Sequence, residues 1–135
     1  MGIGRRKFII EFGLGIDQHG QNPTKAAQKA VKDAVYKACL AGLLEIVRLK
    51  DVNDMLVEIL IACPHPEQVD KEKVLEALPF GKKEVEVVEG GMIAKTIYQP
   101  ELGDETDEAF IANAAVTVYV DMDKVLEAWK EEFAS

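Results

Sequence analysis

The stretch Met55-Leu56-Val57-Glu58-Ile59-Leu60-Ile61-Ala62-Cys63 decides the fold. Both alternating faces are apolar, interrupted only by Glu58, and Pro64-His65-Pro66 ends the run. Such a pattern is that of a central strand covered on both sides. On the N-terminal side, Lys7–Phe12 (K-F-I-I-E-F) reads as a short strand. Asn22-Pro23 then offers an N-cap and a first helical residue. From Pro23 to about Leu40 the apolar positions Ala27, Ala30, Val31, Ala34, Val35 and Ala38 form a helical stripe, with Gly42 as its stop. Side chains this small let a helix sit close to a sheet. Leu43–Leu49 reads as a short strand in preference to a continued helix.

On the C-terminal side, Asp70 caps a short helix with Val74, Leu75 and Leu78 inward, ended by Pro79. Glu84–Glu89 mixes acids with valines, as expected of an antiparallel strand with one wet face. Phe110–Val120 is a long strand, and Asp121 caps a last helix whose inner face is Met122, Val125, Leu126, Trp129 and Phe133. Residues 92–108 have no strong period and hold five acids between Glu101 and Glu108, the composition of a solvated loop, a lid or a partner contact. The order β-α-β-β-α-β-β-α predicts one α+β domain over residues 1–135. Its architecture is a single mixed β-sheet with helices mainly on one face, a chorismate-mutase-like or ferredoxin-like sandwich. The second face then needs a cover, and another subunit is the simplest one, so a homo-oligomer is expected.

A chain of 135 residues supports one hydrophobic core without a disulfide or metal staple. Its net charge of −8 argues against general nucleic-acid binding and against an anionic membrane surface. Cys39 and Cys63 lie in apolar segments with no framework spacing, which fits a reducing, cytoplasmic setting. Met1–Lys7 is followed by only a short apolar run, so no signal peptide is expected, and no run reaches the ~20 residues of a membrane span.

Gly13-Leu14-Gly15-Ile16-Asp17-Gln18-His19-Gly20 lies between a predicted strand and a helix N-terminus. It fails as a dinucleotide fingerprint, because Gln18 stands where the third glycine belongs, and as a P-loop, because no Gly-Lys-Ser/Thr follows. Read as an exposed loop, it offers backbone amides at Gly13, Gly15 and Gly20 beside the positive end of a helix, with Lys25 in the first turn. These would hold a carboxylate or phosphate. His19 is a candidate proton carrier and Asp17 its orienter. The same two side chains are candidate ligands for a divalent metal, although no third ligand is evident. Glu11 on an apolar strand and Asn113 among small residues are candidate ligand contacts. His65 reads as a surface loop residue and Cys63 as a buried structural thiol.

The segment E-F-G-L-G-I-D-Q-H-G at 11–20, the helix N-x-T-K-A-A-x-K-A-V-K-D-A after it, V-E-V-V-E-G-G at 85–91 and I-A-N-A-A-V-T-V at 111–118 carry a resemblance. The chain resembles a small family of conserved hypothetical proteins defined by an N-terminal GxGxDxHG motif, matched here by Gly13, Gly15, Asp17, His19 and Gly20. That resemblance implies no activity. At the level of fold alone, the expected topology is similar to the sandwich of ring-opening amidohydrolases and enamine/imine deaminases. Two functions are carried forward. One is an enzyme for hydrolysis or proton transfer on a small polar or anionic metabolite, with His19 as acid/base. The other is a non-catalytic oligomeric module that binds a ligand or metal.

Overall fold

Strand β2 (Leu56–Cys63) is central: β5 (Glu108–Asp121) runs antiparallel along one side and β3 (Lys82–Glu89) parallel along the other. The computed structural model, which describes residues 2–134, is α+β with one mixed five-stranded sheet in the order β1-β5-β2-β3. β1 (Arg5–Asp17) is antiparallel to β5 and forms an edge. The short β4 (Met92–Lys95) continues alongside β5 beyond the end of β2. The helices are α1 (Pro23–Val35), α2 (Ala41–Glu45), α3 (Lys71–Leu75) and α4 (Met122–Ala134).

Alternation sets the layers. Val57, Ile59, Ile61 and Cys63 of β2 and Ala112, Ala114, Val116 and Val118 of β5 face the helices and are buried. Against them lies the small-residue stripe of α1, with Ala26, Ala27, Ala30 and Val31 fully buried. The N-cap at Asn22 forms as expected: its side chain accepts from the Lys25 amide, and Pro23 opens the helix. Asp70 likewise caps α3, accepting from Glu72 and Lys73.

Several sequence expectations are corrected. The first strand does not end at Phe12. It continues through Gly13 and Gly15 to Asp17, which pairs with Phe110, so most of the glycine-rich segment is sheet and only its end is loop. Residues 43–49 form no strand: the amides of Ile46 and Val47 turn back to the Gly42 carbonyl and that of Leu49 to Leu43, which removes them from any ladder. β3 is parallel to β2, because the crossover through α3 returns the chain to the same end of the sheet. α1 stops at Val35 rather than near Leu40. Leu126 and Phe133 of α4 are exposed, whereas Val125 and Trp129 pack as expected. The order is therefore β-α-α-β-α-β-β-β-α.

The other face of β2 carries Glu58, Leu60 and Ala62, and among the described residues no helix covers it. Leu60 is 45% exposed there, and Phe12 on β1 is 71% exposed. Within one chain, then, the strand predicted to be covered on both sides is covered on one. No helix among the described residues is long and apolar enough to cross a membrane.

Candidate active site

β1 and β2 both run antiparallel to β5, so their C-terminal ends lie at the same end of the sheet. The loops leaving them, 18–22 and 64–70, flank the start of α1. There the Thr24 hydroxyl accepts from the Asp70 amide (2.9 Å), and the Cys63 thiol donates to the Pro23 carbonyl (3.6 Å). The third component at this end is the acidic loop before β5.

Asp104 from that loop organises the site. Its side chain has no exposed surface, and its carboxylate accepts four hydrogen bonds. Nδ1 of His19 and the Gln99 amide each lie 2.9 Å from Oδ2. The Gly20 amide and Nε2 of Gln21 each lie 3.1 Å from Oδ1. Burial by itself pushes the Asp104 carboxyl up. The hydrogen bonds from His19, Gln99, Gln21 and Gly20 outweigh it and hold the group at about 2. An ionised carboxylate only accepts, so Nδ1 of His19 carries the hydrogen of this bond. In the neutral imidazole the lone pair is then on Nε2, for which no hydrogen-bond partner occurs among the described residues. His19 is half-buried, its side chain 33% exposed.

Gln21 ties the same loops together. Its backbone sits in the left-handed region (φ +47°), where a non-glycine residue is strained. Its side chain offsets that strain with bonds to Asp104, to the Glu108 carbonyl (2.8 Å) and from the Glu105 amide (2.9 Å). Gly20 also has positive φ (+91°) and open space around it, which suits a turn glycine.

The other predicted residues are distributed differently. Asp17 is buried and accepts from the Asn22 amide (2.8 Å), with Lys29 3.7 Å away. It shapes the entry to α1, while Asp104 takes the role of partner to His19. Gly13 and Gly15 present no amides to a ligand. They let α1 lie against the strand, since a Cβ at either would fall within about 3 Å of α1 backbone atoms. The Lys25 side chain is exposed, and its amide is satisfied by Asn22. Asn113 pairs with Leu14 and Ala62 on the open face of the sheet, and Glu11 points to the helix side beside Val116. Glu11 lies six residues back from Asp17 along β1, and Asn113, though near the His19 end, is on the opposite face from the core. His65 packs on the Phe110 ring, centroids 5.3 Å apart. Among the described residues no group of three or more His, Cys, Asp or Glu side chains is placed to hold a metal ion. Sequence reading missed Asp104 and Gln21. The one available signal was an acidic loop long enough to fold back onto the motif.

Two loops converge on a buried carboxylate at the end of an α+β sheet with one open face, and they define a small α+β protein with a histidine–aspartate pair. Residues 7–118 match the model of the conserved hypothetical protein family Lin0512_fam, and the chain belongs to that family. A crystal structure described as an FtsZ-like protein of unknown function, from Nostoc punctiforme, is similar to it at 49% identity and a TM-score of 0.80. The match covers 89% of this chain and 99% of that one. No curated protein matches this chain.

Proposed function

We propose that the protein is an enzyme that moves a proton, in hydrolysis or isomerisation, on a small polar metabolite, with His19 as general base and Asp104 as its positioning residue. The observation that carries this reading is the His19–Asp104 bond. A buried, ionised carboxylate fixes the tautomer and leaves Nε2 free to accept a proton. Asp104 also stabilises the imidazolium once His19 has taken that proton. The surroundings argue for a neutral or cationic substrate rather than an anionic one. Glu101, Glu105 and Asp107 lie on the loop that supplies Asp104, Glu108 opens the strand after it, and Asp17 already occupies the positive end of α1.

The test is turnover of a panel of cyclic amides, esters and imines by the wild-type protein, His19→Gln and Asp104→Asn. The expected result is one class of substrate whose kcat falls by about 10²–10⁴ in His19→Gln while the fold is retained. Equal rates in His19→Gln would remove His19 from the chemistry.

A second reading, an oligomeric binding module, is favoured by the open sheet face. Ile10, Phe12, Leu14 and Leu60 form an exposed apolar strip there. Lys7 borders it on β1, and Glu84 and Glu86 border it on β3. A two-fold axis parallel to the strands would lay the basic edge of one copy over the acidic edge of the other. If no compound of the panel is turned over while the protein is a dimer in solution, this reading replaces the first.

A further inference from the structure

β1 outruns the helix that covers it. α1 spans 13 residues, about 20 Å, while the 13 residues of β1 extend roughly 43 Å. Beyond Ala34 the helix-side face of the sheet is left to α2, to Val47 and Leu49 with α4, and to the turn between α3 and β3. They close it incompletely, leaving a cavity of about 380 Å³. Small-molecule pockets begin at roughly this size, about 300 Å³. Val35, Leu43, Met55, Leu78, Phe80 and Val116 form apolar walls. The one acidic side chain among the lining residues is Glu11, six residues before Asp17 and so roughly 20 Å from the His19 end.

Glu11 is the anomaly. It is half-buried on the helix-side face of its strand, beside Val116. Among the described residues nothing pairs with its carboxylate, by ion pair or hydrogen bond. Burial raises its pKa, as expected of a charge held against apolar surface without a counter-ion. The two fully buried acids each have donors: Asp17 has Asn22, and Asp104 has four. An unpaired carboxylate in an apolar recess lowers stability unless something else supplies the pairing.

We propose that this cavity binds a small apolar molecule with a cationic, hydrogen-bond-donating head such as a primary ammonium, its apolar body between Leu43 and Phe80 and its head on Glu11. The site is separate from His19 and does not depend on the enzyme reading. The hydrogen bond from the Tyr36 hydroxyl to the Ala77 carbonyl (3.0 Å) ties the two rims together and keeps the recess formed.

The experiment is titration of the ¹⁵N-labelled protein with n-octylamine, octan-1-ol and octanoate, following backbone amide shifts. Octylamine is expected to bind at least tenfold more tightly than octanoate, with shifts centred on residues 35–43 and 116–118. Glu11→Gln, nearly isosteric, should weaken octylamine at least fivefold and leave octanol within twofold. Ala38→Trp, at an exposed rim position, should weaken all binding. Glu101→Gln removes the same charge from the surface and should change nothing. The proposal is overturned if octylamine and octanoate bind equally, if neither binds, or if Glu11→Gln and Glu101→Gln weaken octylamine alike, which would mean attraction by net charge alone.

Discussion

Replacing Gly15 by alanine should unfold the protein by about 10 °C. The added Cβ would lie 2.9 Å from the Lys29 carbonyl carbon and closer still to Ala26 O and Ala30 N. All three are backbone atoms of α1, so no side chain can rotate away. Relief requires the helix to withdraw by roughly 1 Å. A radial gap of about 0.5–1 Å forfeits about a quarter to a half of each dispersion contact. Here it would open along Ala26, Ala27, Ala30 and Val31, all fully buried. That places the change at the upper end of overpacking, about 3 kcal/mol. For a chain of this length the unfolding entropy near Tm is about 0.28 kcal/mol/K, so the loss corresponds to ~10 °C. The assay is thermal unfolding by circular dichroism and calorimetry. Gly20→Ala is the comparison: unlike Gly15 it has positive φ, but nothing lies within 4 Å of the new methyl. That substitution should cost only the left-handed penalty of about 1–2 kcal/mol. If Gly15→Ala melts within 3 °C of wild type, or no lower than Gly20→Ala, then close approach of α1 does not explain the glycine.

Acid should destabilise the protein through Asp104. Its carboxyl sits at about 2 in the folded chain against an ordinary 3.8, so the contribution is complete above pH ~4 and drains away as pH falls toward 2. In urea titrations between pH 2 and 5, Asp104→Asn should flatten this limb; an unchanged slope would refute the assignment. One thiol per folded chain should react with Ellman's reagent. Cys39 is exposed, while burial and then the Glu89 charge push Cys63 up to about 11; denaturation should release the second. Phe12→Glu should convert a dimer to monomer in sedimentation velocity without lowering Tm by more than a few degrees, because Phe12 is 71% exposed in the single chain. A wild-type monomer at 100 µM would refute the face-to-face pairing.

What could be read from the sequence follows physical range. Elements set by neighbours in the chain were legible: the Asn22 cap with Pro23, the Asp70 cap, the alanine stripe of α1 and the apolar run of β2. Elements set by distant partners were not. Gly13 and Gly15 resemble a loop by composition, yet each lacks a side chain because a helix lies against it, and the ladder with β5 continues through both. The Leu43–Leu49 run is apolar enough for a strand, but no partner strand reaches it and its amides close on themselves. The direction of β3 depended on the α3 crossover, which composition does not report.

The site obeys the same rule. The motif placed His19 where the chain leaves the sheet, and that much is local. Its partner was the wrong acid: Asp17 is two residues away, while Asp104 is 85 residues away and inside a segment without periodicity. The reason is geometric. A residue at the last rung of β1 points back toward the core, and the Asp17 carboxylate is taken up by the Asn22 amide that starts α1. A negative side chain there also answers the partial positive charge of the helix end, so the anion site that the glycine amides and Lys25 seemed to offer is already filled by the protein itself. His19 lies past the end of the strand and needs a carboxylate from outside the ladder. The loop entering β5 is placed to supply one, because β5 pairs with β1 up to Asp17 and the chain before it must pass the turn that carries His19. An acidic loop of that length, hydrogen-bonded at Gln99, Gly20 and Gln21 around one buried aspartate, is thus a structural consequence of an edge strand that ends in a histidine turn.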